Sequence, residues 1–389
     1  MKRTISAVIL AVVLLSLLSQ GQSVADKLLP ISWADRELAE YRFRYPSGWR
    51  FGTLITSVEP GAGDPQKLVL ESRYSLGGDN SLSRTEVRAD SMEVVSQRIN
   101  NTSNGDSRTD YSSRQARLQT EGEPPKTIEL PGPIFTYEEL PFLFRRLPLA
   151  PGYKTTLPVI TKANVPTRFE LTVMGIEEVR VPAGTFYCYK LQLQFQLNET
   201  RQFYWIEADQ PRLFVKSDAN GFRTELVNVG KVDLVNPVDY HDAVFGLALT
   251  APPGWIVQPQ YTFEDETMVS IQDPEARAFT RISAIAGHTE KSAIDQQLRA
   301  QMNEKIRQYA EGLQGYHVRP DSITMRPIGQ NQVLSCIADY VEGEHKMVHY
   351  LNWMRSENTI AQFNATVRAS DFAKFRESYD RILETVRIK

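Results

Sequence analysis

His345 and His349 are the histidine pair in this sequence whose spacing could suit a metal ion. On a helix, positions i and i+4 share a face and could hold zinc. Here Gly343 precedes the pair, and Tyr350, Leu351, Asn352 and Trp353 follow it, which favours a strand. Four residues along a strand span roughly 13 Å, at about 3.3 Å each, and one ion cannot bridge that. Both are therefore read as strand histidines, and no metal ligand is assigned. Cys188 as a nucleophile would need a histidine in space, yet no histidine precedes His241. Cys188 and Cys336 are read as small buried thiols. A bridge between them would require Cα atoms within roughly 7 Å, which spacing alone does not reveal. Glu177 and Glu178 are neighbours, and neighbours on a strand point to opposite faces, so they cannot act on one bond.

The glycine-rich phosphate loops, the G-x-S-x-G nucleophile elbow and the C-x-x-C redox pair are all missing from the sequence. No catalytic residue and no cofactor follow from these residues, and the chain is expected not to be an enzyme. A hydrolase stays open as the least favoured alternative. It would need a cleft holding paired carboxylates with raised pKa values.

The elements that would position any site change in kind along the chain. Over residues 38–229 the pattern has period two. In the stretch from Tyr189, the residues Tyr189, Leu191, Leu193, Phe195 and Leu197 alternate with Lys190, Gln192, Gln194 and Gln196. Phe169, Leu171 and Val173 alternate with Glu170 and Thr172 in the same way. Such strands belong to antiparallel sheets with one wet face. Asn220-Gly221 marks a hairpin, and the polar stretch 101–125 is read as a solvated hairpin or loop. Residues 137–147 break the pattern. They are dense in large apolar groups, include Phe142, Phe144, Arg145 and Arg146, and stop at Pro148. One or two helical turns covering an end of the sheet are expected there.

Beyond residues 231–237 the period alternates between two and 3.6. Strands are expected at 268–271, 279–285, 332–341, 346–353 and 360–367. Ile294, Leu298, Met302, Ile306, Tyr309 and Leu313 make one helical stripe, capped by Ser292 and stopped near Gly315. Phe372, Phe375, Tyr379, Ile382, Leu383 and Val386 make another, capped by Ser370. Single-striped helices pack one-sidedly on a sheet. The predicted fold is a mostly β domain, a curved antiparallel sheet or half-barrel over 30–232, followed by an α+β domain over 238–389.

Lys2 and Arg3, an apolar run over 5–18, and the small residues Ser23 and Ala25 read as a secretory signal covering 1–25. The run is shorter than the roughly 20 residues that span a bilayer, and no later run is long enough. A soluble periplasmic or extracellular protein is expected, not an integral membrane one. Cleavage would remove Lys2 and Arg3 and no acid, taking the net charge from −3 to −5. That balance argues against nucleic acid, which needs a concentrated basic surface.

Two resemblances complete the reading. Residues 41–52 (Tyr41 through Trp49 to Gly52), 143–152 (Leu143, Phe144, Arg145, Arg146 to Gly152), 181–190 and 204–216 (Tyr204, Trp205 to Lys216) occur in an order that resembles the exported bacterial family of unknown function DUF3108. That resemblance implies a curved antiparallel β domain and brings no catalytic residues. Residues 247–255 with their Pro253-Gly254-Trp255 turn, the central helix and residues 372–388 resemble the PsbP-type α/β/α sandwich, whose relatives are binding or assembly factors. The expected function is an exported, non-enzymatic cell-envelope protein. Its concave β face would accept a lipid or other amphipathic ligand through Trp49, Phe142, Phe144, Arg145 and Trp205, while the second domain docks an envelope protein. The alternative is a pure protein-interaction module with both sheets fully packed.

Overall fold

The computed structural model describes residues 28–30, 37–47, 50–76, 79–101, 105–162, 164–195, 200–219, 221–231, 235–262, 266–286, 294–329, 331–356 and 359–388. The expected signal segment, Ser292, Asn220 and Trp49 lie outside them.

Fifteen strands among the described residues make the first sheet. They are β1 (Glu37–Arg44), β2 (Arg50–Gly61), β3 (Asp64–Leu76), β4 (Asp79–Arg88), β5 (Val94–Asn101), β6 (Ser107–Tyr111), β7 (Gln115–Thr120), β8 (Lys126–Glu129), β9 (Phe135–Thr136), β10 (Lys154–Ile160), β11 (Pro166–Val181), β12 (Gly184–Phe195), β13 (Arg201–Glu207), β14 (Phe214–Ala219) and β15 (Phe222–Lys231). Their order runs from β8 down to β1, then from β15 down to β9. Every neighbouring pair is antiparallel except β9 with β10. The two edge strands, β8 and β9, are separated in sequence only by residues 130–134. At about 3.5 Å per residue such a link spans roughly 20 Å, so the sheet has to curl until its edges face each other. Val94, Ala116, Leu130, Ile134 and Ile160 then pack into one cluster, joining β5 and β7 to β10. The edges do not hydrogen-bond, so the sheet stays an open, strongly curved half-barrel.

The helix α1 (Leu140–Arg146) lies inside this curve, in the main core, rather than over its end. A seven-residue helix has little stability of its own, so side chains must hold it. Arg145 Nη1 and Nη2 donate to the two oxygens of Glu37 on β1 at 2.6 and 3.1 Å. Arg146 donates to the carbonyls of Leu29, Ala89 and Asp90, and Arg212 donates to that of Leu147.

Ten further strands follow among the described residues: β16 (Val238–His241), β17 (Ala248–Ala251), β18 (Ile256–Thr262), β19 (Glu266–Gln272), β20 (Ala278–Ala286), β21 (Gln314–Val318), β22 (Thr324–Ile328), β23 (Asn331–Glu342), β24 (His345–Arg355) and β25 (Thr359–Arg368). The second sheet has the order β18-β19-β20-β25-β24-β23-β21, with β22 also on β23. Alternation along β23 and β24 sends two apolar sets to opposite faces. Helix α2 (Ile294–Gly312) covers Leu334, Cys336, Leu351 and Trp353 with Leu298 and Met302. Helix α3 (Phe372–Thr385) covers Val333, Ile337, Val348 and Tyr350 with Phe375, Tyr379, Ile382 and Leu383. The result is an α/β/α sandwich. The residue at the start of α3 is Asp371, not the expected Ser370, and its side chain makes no cap bond. Helix α2 ends at Gly312, before Gly315. Gly329 (φ +57°) passes so close to α3 that a Cβ there would lie 2.5 Å from the Glu384 carbonyl oxygen.

The second unit sits on the outer face of β2–β5 through polar contacts. Thr53 Oγ1 donates to Gln258 at 2.6 Å, and Gln272 to Asn80 at 2.7 Å. Arg73 donates to the carbonyls of Asp273 and Pro274, and Arg84 pairs with Glu275.

His345 and His349 both lie on β24, as strand residues. His349 is enclosed by the rings of Tyr309, Tyr316 and Tyr340 at 4.7, 5.8 and 4.5 Å, with Nδ1 lacking a partner. Burial lowers its pKa to about 4. In the unfolded chain a histidine takes up its proton near pH 6.5. Between those values the unfolded state binds more protons, so stability falls as pH drops from about 6.5 to about 4. At about 1.4 kcal/mol per pH unit, the loss is expected to approach 3 kcal/mol. Glu139 and Asp273, whose pKa values burial raises, act in the opposite direction. Urea midpoints of wild type and His349→Phe, compared at pH 7 and pH 4, isolate the histidine. Parallel pH profiles for the two proteins would refute its role.

Candidate functional site

The inner face of the first sheet is where an apolar interior and polar side chains meet. Alternation places Phe43, Leu54, Tyr74, Tyr204 and Phe222 on that face, around a cavity of about 450 Å³. Phe195, Phe214, Ser217, Ala219 and Thr224 complete its wall, and Pro141 of α1 closes one side, with Tyr137 and Glu138 from just before the helix. Phe43 stacks on Tyr74 at 6.2 Å and meets Phe222 edge-on at 5.2 Å.

A second cavity, of about 520 Å³, continues along the same face. Ser81, Ser83, Gln97, Ser107, Thr109, Tyr111 and Thr120 line it, on β4 to β7. Tyr74, Glu138, Thr161 and Lys162 border both cavities. At this junction Lys162 Nζ lies 3.6 Å from Glu138 and 4.7 Å from the centre of the Tyr74 ring. The Lys162 side chain is 59% exposed, whereas Glu138 is 8% exposed. Burial tends to lower the Lys162 pKa, but Tyr74 and Glu138 outweigh it, and the ammonium stays charged. Gln97 Nε2 lies 3.3 Å from the other Glu138 oxygen and 3.1 Å from Ser83 Oγ. The arrangement can therefore enclose a chain with an apolar part and a polar part.

Glu139 lines neither cavity. It is fully buried, and burial holds its carboxyl well above the usual carboxylate range; one oxygen accepts from Thr136 at 3.0 Å. Glu138 and Glu139 therefore do not form a paired-carboxylate cleft. Both cysteines are free and buried, and burial pushes Cys188 up to about 12 and Cys336 to about 11. Among the described residues no group of three or more His, Cys, Asp or Glu could hold a metal ion.

The residues singled out from sequence fall in different places. Phe142 and Phe144 are core residues of α1, 3% and 0% exposed, and neither borders either of these two cavities. Phe144 meets the Tyr204 ring edge-on at 5.1 Å, and Tyr204 then carries the wall. Arg145 is buried and bound to Glu37, so it presents no charge to a ligand. Trp205 lies on the outer face. Its Nε1 donates to Glu177 at 2.6 Å, and Lys190 and Lys216 cover its ring. None of the described residues singled out from sequence as ligand contacts lines either cavity; among those that do and were missed are Tyr74, Tyr137, Glu138, Lys162 and Tyr204. A signal existed for two of them: Tyr137 and Glu138 open the segment 137–147 that was expected to sit against the sheet.

Fold and site thus define an open, curved antiparallel sheet with a hollow interior, backed by an α/β/α sandwich. Residues 72–227 match the model of a protein family of unknown function (DUF3108). No curated protein matches the chain. A crystal structure from Bacteroides thetaiotaomicron is 16% identical, with a TM-score of 0.28, over 39% of this chain and 48% of that one. The present chain thus spans about half the length of that protein. The solution structure of cyanobacterial PsbP from Synechocystis is 12% identical over 41% of this chain and 95% of that one, with a TM-score of 0.31. An exported protein with a YmcC-like fold from Bacteroides fragilis is 13% identical over 53% of this chain and 99% of that one, with a TM-score of 0.23. Likeness of this degree carries no function to the present chain. No helix among the described residues is long and apolar enough to cross a membrane.

Proposed function

We propose that this chain is an exported cell-envelope protein whose first sheet holds the apolar part of an amphipathic ligand, acting as a binding protein and not as an enzyme. The observation that carries this reading is the cavity of about 450 Å³ walled by Phe43, Leu54, Phe195, Phe214 and Phe222. Ligand pockets fall at about 300–1,000 Å³ with mostly apolar walls and a few polar groups. A fully packed interior, as a pure interaction module would have, leaves no such space. The separate hydrophobic clusters of the two sheets support reading 30–232 and 238–389 as two domains. The basic, apolar and small-residue segments of 1–25 support export.

Filling the cavity tests the proposal. Ser217 and Ala219 are small wall residues. Ser217→Phe and Ala219→Phe are expected to weaken binding of the fluorescent fatty acid cis-parinaric acid at least tenfold, while urea midpoints stay close to wild type. Failure of the wild-type protein to bind the probe, or equal binding by the filled variants, would overturn the reading.

A further inference from the structure

The second cavity opens from the apolar one through Tyr74, Glu138, Thr161 and Lys162, and its wall sets hydroxyl and amide groups among the apolar side chains of Ile99, Leu118 and Ile160. Ser81, Ser83, Ser107, Thr109 and Thr120 bring hydroxyls, and Gln97 brings an amide. Hydroxyl groups both donate and accept hydrogen bonds, and an amide offers both roles from separate atoms. Glu138 and Lys162 are the charged side chains of the wall, and they are 3.6 Å apart with opposite sign. An anionic headgroup at Lys162 would have to share the ammonium with Glu138, 3.6 Å from it, and would meet the repulsion of that nearly buried acidic group. A cationic one would compete with Lys162 for the same carboxylate. An uncharged group with many hydroxyls meets neither obstacle. The rings of Tyr74 and Tyr111 border the same space and offer apolar faces beside the hydroxyls.

Resting on the proposed binding of an apolar chain next door, we infer that the polar cavity is the headgroup half of one continuous site and takes an uncharged, hydroxyl-rich headgroup of the glycosyl type. The ligand class is then a neutral glycosylated amphiphile, its tail among Phe43, Phe195 and Phe222 and its head among the serines and threonines of β4 to β7.

Three ligands with one tail separate the two halves of the site. Dodecyl glucoside, dodecanoate and dodecyl phosphate are titrated into the full chain by calorimetry, each below its micelle concentration. The glucoside is expected to bind at least tenfold tighter than either anion. Thr109→Val/Thr120→Val keeps the wall volume and removes two hydroxyls. It is expected to weaken the glucoside at least fivefold and to leave dodecanoate unchanged, which also reports an intact fold. Dodecyl phosphate binding as tightly as the glucoside, or a glucoside affinity untouched by the double variant, overturns the headgroup inference and leaves the apolar reading standing. If none of the three binds, the apolar reading falls as well.

Discussion

Arg145→Met is expected to lower the unfolding free energy by about 3–5 kcal/mol, read as a shift of the urea midpoint. Arg145 and Glu37 are each 5% exposed at the side chain, and the guanidinium holds both carboxylate oxygens while also donating to the Pro211 carbonyl at 3.1 Å. With the guanidinium gone, Glu37 is left as a buried acidic group without its ion-pair partner. The desolvation of a buried ion pair largely cancels its attraction, so the intact pair itself adds little. Glu37→Leu/Arg145→Met is therefore expected to recover most of the loss. A single variant costing under 1 kcal/mol, or a double variant costing the sum of both singles, would show that the two charges are not coupled. The pair also gives Arg145 a role in a buried helix: it ties α1 to β1, while Arg146 binds the carbonyls of Leu29, Ala89 and Asp90.

Phe144→Ala should remove a comparable amount, about 3–5 kcal/mol. Phe144 is fully buried, packs edge-on against Tyr204, and belongs to a helix too short to persist without such contacts. Its truncation leaves a void between α1 and β13 that a side chain cannot refill, because Leu143, Leu147 and Tyr41 are themselves buried in the same core. Chemical denaturation measures the loss. A cost below about 1.5 kcal/mol would mean that α1 is not anchored through this ring. Since Phe144 does not border the cavity, binding of cis-parinaric acid by the folded variant is expected to persist, unlike in Ser217→Phe. The two variants together separate support of the fold from the wall of the site.

Much of the architecture was legible along the chain because periodicity is a local property. The alternation at Phe169, Leu171 and Val173 reappears as three buried residues on β11. The stripes that include Leu298 and Phe372 reappear as helices pressed against the two faces of one sheet. The dense segment around Phe142 and Phe144 is helical and buried, and Pro148 follows its end. The strand setting of His345 and His349 followed from the same kind of evidence.

The site was another matter. Phe203, Trp205 and Glu207 occupy one face of β13, and Gln202, Tyr204 and Ile206 the other; each set mixes polar and large apolar groups. Alternation says that Tyr204 and Trp205 part company. It does not say which of them turns inward, and the sheet turned Tyr204 in and Trp205 out. Arg145 reads as a candidate anion contact until Glu37, more than a hundred positions earlier, is placed beside it. The closeness of Lys162 to Glu138, the pairing of β1 with β15, and the approach of the two sheet edges through residues 130–134 likewise depend on contacts between distant segments. Local spacing specifies which residues share a face. Only the long-range register and curvature of the sheet decide which face becomes the interior, and hence where a hollow remains.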